Sequence, residues 1–155
     1  MHLADTYSIH QLTSEDIELM RALLNFFGEA FEEIDTYCHH QPSDAYLRRL
    51  LSRDDFFALV ALHSGKVVAG LAAYELQKFE QERSEIYIYD LAVDAAHRRK
   101  GIATALIEAL KKIAAERGVY VIFVQADYGN DPAINLYEKL GIREEVLHFD
   151  IDIES

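Results

Sequence analysis

Arg98-Arg99-Lys100-Gly101-Ile102-Ala103 is the stretch that decides how this chain folds. The apolar run before it, residues 86–93, reads as a buried strand. After it, apolar residues recur at helical spacing and predict a helix over 102–117, ended by Gly118. Residues 119–126 read as another buried strand. A helix joining two such strands predicts a right-handed parallel crossover. Strand, glycine turn, helix is also how a backbone makes a phosphate site. The first helical amides lack internal partners, and the helix dipole places partial positive charge there. Gly101 leaves room for close approach, and Arg98, Arg99 and Lys100 add full charges. The alternative is a plain basic helix entry, which opposes the dipole and costs some stability.

Further out, residues 6–10 predict a short first strand, and Thr13 with Asp16 predicts a helix cap. Ile17, Met20, Leu23, Leu24 and Phe27 follow at helical spacing, with Gly28 as the stop. Pro42-Ser43-Asp44 opens a second short helix. Residues 56–62 and 67–76 flank His63-Ser64-Gly65-Lys66, a hairpin by its turn chemistry. Residues 78–84 read as an exposed loop. Asp131-Pro132 starts a last helix, closed by Gly141. Residues 146–153 alternate apolar and acidic side chains, as a strand with one wet face does. The predicted order is β-α-α-β-β-β-α-β-α-β, a mixed α/β fold in a single domain over residues 1–155.

The 15 Lys and Arg against 27 Asp and Glu leave a net charge of −12, which argues against nucleic acid and favours cationic partners. Acidity that only aids solubility is the other reading. A single cysteine, Cys38, allows no intramolecular disulfide and suits a reducing cytoplasm. Residues 1–10 carry no signal-peptide pattern, and no apolar run approaches a membrane span. A soluble, cytoplasmic protein with no membrane partner is expected. Cys38-His39-His40 lacks metal-ligand spacing, and no second cluster completes a site, so no metal is expected.

Two motifs carry a resemblance. Arg98-x-x-Gly101-x-Ala103 after a strand, with Asn135-Leu136-Tyr137-Glu138-Lys139-Leu140-Gly141-Ile142, resembles the GNAT family of acyl-CoA N-acyltransferases. Residues 79–81, 84–93, 125–129 and 148–152, with Tyr37, residues 40–42 and Tyr46, are similar to type I aminoglycoside 3-N-acetyltransferases. The resemblance implies a mixed, mostly antiparallel twisted sheet. A central parallel strand pair splays apart within it, and helices flank it. It implies transfer of acetyl from acetyl-CoA to the 3-amino group of a 2-deoxystreptamine aminoglycoside of the gentamicin type. Such a reaction confers antibiotic resistance. It further implies a homodimer.

Residue by residue, the resemblance gives Arg98, Arg99, Lys100, Gly101, Ile102, Ala103 and Thr104 to the coenzyme A pyrophosphate. It gives the backbone of Leu91, Ala92 and Val93, with Asn135, to the pantetheine arm. Asp90 is the one ionisable residue of the run 86–93 besides tyrosines. A carboxylate there is expensive unless paired, and partial burial raises its pKa toward the range of a general base. A structural carboxylate bonding nearby amides is its other reading. Tyr137, by resemblance, stands near the coenzyme sulfur as the acid, and a core tyrosine is the alternative. Glu80, Glu85, Tyr89, Asp127, Asp150 and Asp152 are expected to bind the cationic substrate, against the reading of a solvated face. Other readings of the whole are a GNAT protein acting on a polyamine or protein amine, and a non-catalytic acyl-CoA-binding module.

Overall fold

A computed structural model describes residues 3–154. Packing divides the chain into two compact units, Met1–Val124 and Gln125–Ser155.

The first unit holds five strands: β1 (Tyr7–Gln11), β2 (Phe56–His63), β3 (Lys66–Gln77), β4 (Ser84–Val93) and β5 (Val119–Val124). They form one sheet in chain order, antiparallel from β1 to β4 and parallel between β4 and β5. The expected parallel crossover is therefore present, its helix being α3 (Ile102–Glu116). The β2–β3 turn is the expected hairpin. Ser64 and Gly65 both take positive φ, +51° and +77°, the twist that a two-residue hairpin needs.

Both faces of the sheet are covered. Helices α1 (Ile17–Ala30) and α2 (Asp44–Ser52) pack with Phe56, Ala58 and Val60 of β2 in one core cluster. By alternation Phe57, Leu59 and Ala61 face the other way, and all are buried. Arg117, just beyond α3, lies over the Phe57 ring at 5.4 Å, which marks that second face as the α3 side. Leu23 of α1 reaches so close to the sheet that a Cβ on Gly70 would meet its Cδ1 at 2.4 Å. Residue 70 is glycine because the helix occupies the place of its side chain.

Three local expectations are corrected. Thr13 does not cap α1. The helix begins after Asp16, whose carboxylate accepts the Thr13 amide at 2.7 Å and turns the chain into the helix. That bond holds the Asp16 carboxyl below its ordinary pKa. Gly28 does not stop α1, which runs two residues further to Ala30. It is buried because a π-helical turn, Asp35–His39, presses on it: a Cβ there would lie 2.5 Å from Cys38 Sγ and 3.2 Å from Tyr37 Cβ. Finally, residues 146–153 form no strand. Their alternation is present, but alternation gives only one wet and one dry side and does not itself supply the ladder bonds that make a strand.

The second unit carries α4 (Asp131–Leu140), capped by the Asn130 side chain, which accepts the Ala133 amide at 3.4 Å. Pro132 sits in its first turn, as read. Among the described residues, no helix is long and apolar enough to cross a membrane.

Candidate active site

Strict alternation along β4 would place Asp90 with Ile86 and Ile88, which are fully buried toward α3. The structure avoids this with a bulge. Tyr87 pairs with Tyr74 and Ile88 with Ala73, but the next pair is Asp90 with Ala72. Tyr89 is the extra residue. One inserted residue reverses the parity of everything after it. Leu91, opposite Leu71, thus returns to the α3 side. Asp90 turns to the α1 side with Tyr74 and Tyr87.

There Asp90 meets the π-helical turn. The Tyr37 hydroxyl donates to Asp90 Oδ2 at 2.8 Å. Burial raises the Asp90 carboxyl above its ordinary pKa; the Tyr37 hydrogen bond opposes the shift, and the nearby Glu33 carboxylate adds to it. Burial also pushes the Tyr37 phenol far above its usual value, helped by its bond to Asp90, so it stays a donor. The turn that holds Tyr37 is strapped to α1. Gln41 donates to the Tyr37 carbonyl at 3.1 Å and to Asn25 Oδ1 at 2.9 Å, while Arg21 donates to Gln41 Oε1 at 3.1 Å. Sequence reasoning named Tyr37 only through a resemblance and did not name Glu33. No local pattern signals a contact made across 53 residues.

The same part of β4 has an open edge. Its pairing with β5 ends at Ile88↔Val124, while pairing with β3 continues to Val93↔Ala69. Residues 89–93 therefore have no ladder partner on the β5 side. Backbone donors and acceptors of Leu91, Ala92 and Val93 on that side make no ladder bond to β5. Tyr89 beside them is 61% exposed. Its ring touches Tyr74 and Tyr87 edge-on, at centroid distances of 5.9 and 5.8 Å, and extends a wall that continues to Phe123, stacked on Tyr87.

Following β4, a 3-10 turn (Ala95–His97) leads to Arg98. His97 is pinned by a 2.7 Å hydrogen bond between its Nδ1 and the Tyr7 hydroxyl of β1. Arg99 and Gly101 then take left-handed conformations, φ +63° and +78°. For an arginine that is an uncommon and costly state, of the kind found where backbone amides gather around an anion. No side chain caps α3, and its first turn holds no acid. The amides of Ile102, Ala103 and Thr104 have no partner within the helix, the arrangement that suits an anion. Arg98, Arg99 and Lys100 are exposed and make no ion pair among the described residues. Orphan amides, free cations and the open β4 edge fit a pyrophosphate joined to an amide-bearing arm. Gly101→Val adds a Cβ and a branch at a left-handed position beside the first amides of α3. We expect it to raise KM for acetyl-CoA about tenfold or more, the weight of one or two charge-assisted hydrogen bonds, with a smaller effect on kcat. Steady-state kinetics at saturating amine measures this.

Of the acidic candidates in this unit, Glu80 is bound to Lys78 at 3.1 Å and Glu85 accepts from Tyr120 at 3.3 Å. Both are surface contacts, and neither residue bonds Asp90. In the second unit Asn135 is exposed on α4, and Tyr137 is half-buried, its phenol pushed by burial up to about 12. Asp127, Asp150 and Asp152 are exposed, and Asp150 pairs with His148 at 2.9 Å. Cys38 has no catalytic setting: its thiol points at the Asn25 carbonyl at 3.8 Å and packs on Gly28.

The parallel β4–β5 pair thus ends beside the glycine turn at the N-terminus of α3. The sequence matches the Acetyltransferase (GNAT) family over residues 19–142, and the chain belongs to that family. Among solved structures it is similar to an aminoglycoside acetyltransferase from an uncultured soil metagenomic sample. The two are 63% identical, with a TM-score of 0.94 over 96% of this chain and 99% of that one. A second aminoglycoside acetyltransferase of metagenomic origin, in complex with sisomicin, is 32% identical, with a TM-score of 0.88 over 97% and 98% of the two chains. Among curated proteins, an uncharacterized N-acetyltransferase of Methanocaldococcus jannaschii is 28% identical over 93% of this chain and 64% of that protein. A probable N-acetyltransferase family 8 member of Mus musculus is 25% identical over 81% of this chain and 55% of that protein. The chain thus spans less than two-thirds of either curated relative.

Proposed function

We propose that this chain acetylates the 3-amino group of 2-deoxystreptamine aminoglycosides such as gentamicin, with acetyl-CoA as donor. The observation that carries this reading is Asp90. A bulge places it on the α1 side of the open end of β4, partly desolvated, bonded to Tyr37 and close to a second carboxylate, Glu33. Such a group attracts an ammonium and takes its proton. The likeness to two aminoglycoside acetyltransferases supports the choice of amine, as does the net charge of −12.

In this reading the turn from Arg98 to Thr104 holds the pyrophosphate, while Leu91, Ala92, Val93 and Asn135 hold the pantetheine arm. The substrate ammonium gives one proton to Asp90, directly or through water, and becomes nucleophilic. Its nitrogen attacks the thioester carbonyl carbon, and the C–N bond forms as the C–S bond breaks. The nitrogen releases a second proton as the amide forms, and through water it restores the phenol of Tyr137, which has given its own proton to the leaving sulfur. A phenol is suited to that step because it remains protonated at neutral pH. Tyr89, Glu80, Glu85, Asp127, Asp150 and Asp152 hold the other ammonium groups. Direct transfer needs no metal and no enzyme nucleophile. The protein works in the cytoplasm, as a homodimer, with residues 1–155 acting as one catalytic domain. The product loses a cation that the drug needs to bind RNA, so the host is resistant.

Thiol release from acetyl-CoA with gentamicin, spermidine and a lysine peptide in parallel tests the choice of amine. Release with gentamicin is expected; release with spermidine alone makes the protein a polyamine acetyltransferase. Tyr37→Phe removes the bond to Asp90 and should move the acidic limb of the kcat/KM–pH profile upward, because the bond holds the Asp90 pKa down. A profile that stays in place, with only stability lost, makes Tyr37 a packing residue.

A further inference from the structure

We propose that Tyr7 of β1 is a positioning residue for the coenzyme: through His97 it holds residues 98–104 in the form that receives a pyrophosphate. This rests on the reading of that turn proposed above, and not on the choice of amine. After β4 the chain does not enter α3 directly. It crosses the sheet one strand at a time. The Asp94 amide donates to the Val68 carbonyl of β3 at 2.8 Å. The His97 ring then meets His63 of β2 at a centroid distance of 5.1 Å and Tyr7 of β1, edge-on, at 5.6 Å. Of residues 95–100, His97 alone is not exposed. It is the side chain of that run that ties the crossing to the sheet.

Three rings hold one another there. Tyr7 pairs with His63 across β1 and β2, and their rings stack at 4.7 Å. By alternation with Phe57, Leu59 and Ala61, His63 faces the side that α3 covers. His63 donates its Nδ1–H to the Thr6 carbonyl at 3.2 Å, which fixes its ring. His97 has the opposite arrangement. Its Nε2 faces the Asp94 carboxylate at 3.9 Å, which favours the proton on Nε2, so Nδ1 accepts the Tyr7 hydroxyl at 2.7 Å. Two residues on, Arg99 holds φ +63°, a state that persists only where its surroundings impose it. No side chain caps α3 to fix the turn from its other end. The anchor at His97 therefore shapes the turn before any anion arrives, and a site formed in advance binds more tightly. A ring cluster that only closes the end of the sheet is the rival.

The test is calorimetric titration of the full chain with coenzyme A, which needs no amine, beside steady-state kinetics with gentamicin. Tyr7→Phe keeps the ring stack and removes the hydroxyl. It should weaken coenzyme A binding about three- to tenfold, the weight of one hydrogen bond, and raise KM for acetyl-CoA alike. The kcat and the KM for the amine should stay near the wild-type values. His97→Phe should weaken coenzyme A by the same factor, and the two changes together should weaken it no further, because both remove one bond. His97→Asn, whose carboxamide oxygen takes the place of Nδ1, should recover most of the affinity. Unchanged coenzyme A affinity in Tyr7→Phe overturns the proposal, as do losses that add in the double variant. A kcat and amine KM that move as far as the KM for acetyl-CoA, or a His97→Asn as weak as His97→Phe, overturns it as well and leaves a packing cluster. Gly101→Val separates this inference from the reading beneath it. If Gly101→Val weakens coenzyme A and Tyr7→Phe does not, only the role of Tyr7 fails. If Gly101→Val binds as the wild type does, the pyrophosphate lies elsewhere and both fall.

Discussion

Asp90→Asn is expected to lower kcat/KM for the amine by about 10²–10⁴-fold, the usual contribution of a positioned general base. KM for acetyl-CoA should hardly change, because the turn proposed for the pyrophosphate follows the far end of the open strand. The same substitution should stabilise the fold at neutral pH. Burial holds the Asp90 pKa above its unfolded value. A raised carboxyl favours folding in its protonated form, and that advantage is lost as pH rises through the folded pKa. Below about pH 4, the ordinary range of an unfolded aspartate, both variants are neutral at this position and the difference should vanish. Above it, the asparagine variant should melt at the higher temperature. Asparagine still offers an oxygen to the Tyr37 hydroxyl. Thermal melts across pH, read beside the kinetics, measure both. Equal activity at pH 7 removes Asp90 as base. A stability gain without loss of activity makes the carboxylate a structural burden.

Leu23→Ala is expected to cost about 3–5 kcal/mol, the range for a fully buried leucine whose cavity cannot collapse. Leu23 is 0% exposed and fills the space that Gly70 leaves on the sheet. The strand backbone cannot move into the vacated volume without breaking the β2–β3–β4 ladders. At a few degrees per kcal/mol for a chain of this size, Tm should fall by roughly 10 °C or more. The neighbouring Leu24, only partly buried against the same cluster, should cost less on the same change. Urea unfolding of both variants decides the point: equal losses contradict the account of α1 docking. Because α1 also carries Arg21 and Asn25, which brace the Tyr37 turn, partial activity loss should accompany the stability loss in Leu23→Ala.

What could be read from the residues alone follows from how local each signal is. The 64–65 turn, the helix start at Pro42-Ser43-Asp44 and the glycine turn before α3 each depend on a few adjacent residues, and each stands where it was expected. Gly28 and Gly70 look like helix and strand breakers in sequence, but both are glycine because another segment packs on them. That segment is distant in the chain for Gly70. The bulge at Tyr89 is a property of the β3–β4 ladder and leaves no mark in β4 itself. Without it the sequence marks Asp90 as a candidate base, but its side of the sheet and its partner Tyr37 cannot be read. Residues 146–153 show the converse: the alternation is legible in the sequence, but alternation does not of itself make a strand.

Transfer of one acetyl group to one amine of a 2-deoxystreptamine ring leaves a product that can be read directly. Gentamicin incubated with the protein and acetyl-CoA should yield a product heavier by one acetyl group. Its NMR spectrum should show the amide at the 3-nitrogen alone. An acetyl on any other nitrogen contradicts the assigned position, and unmodified gentamicin in the presence of a folded, acetyl-CoA-binding protein contradicts the account as a whole.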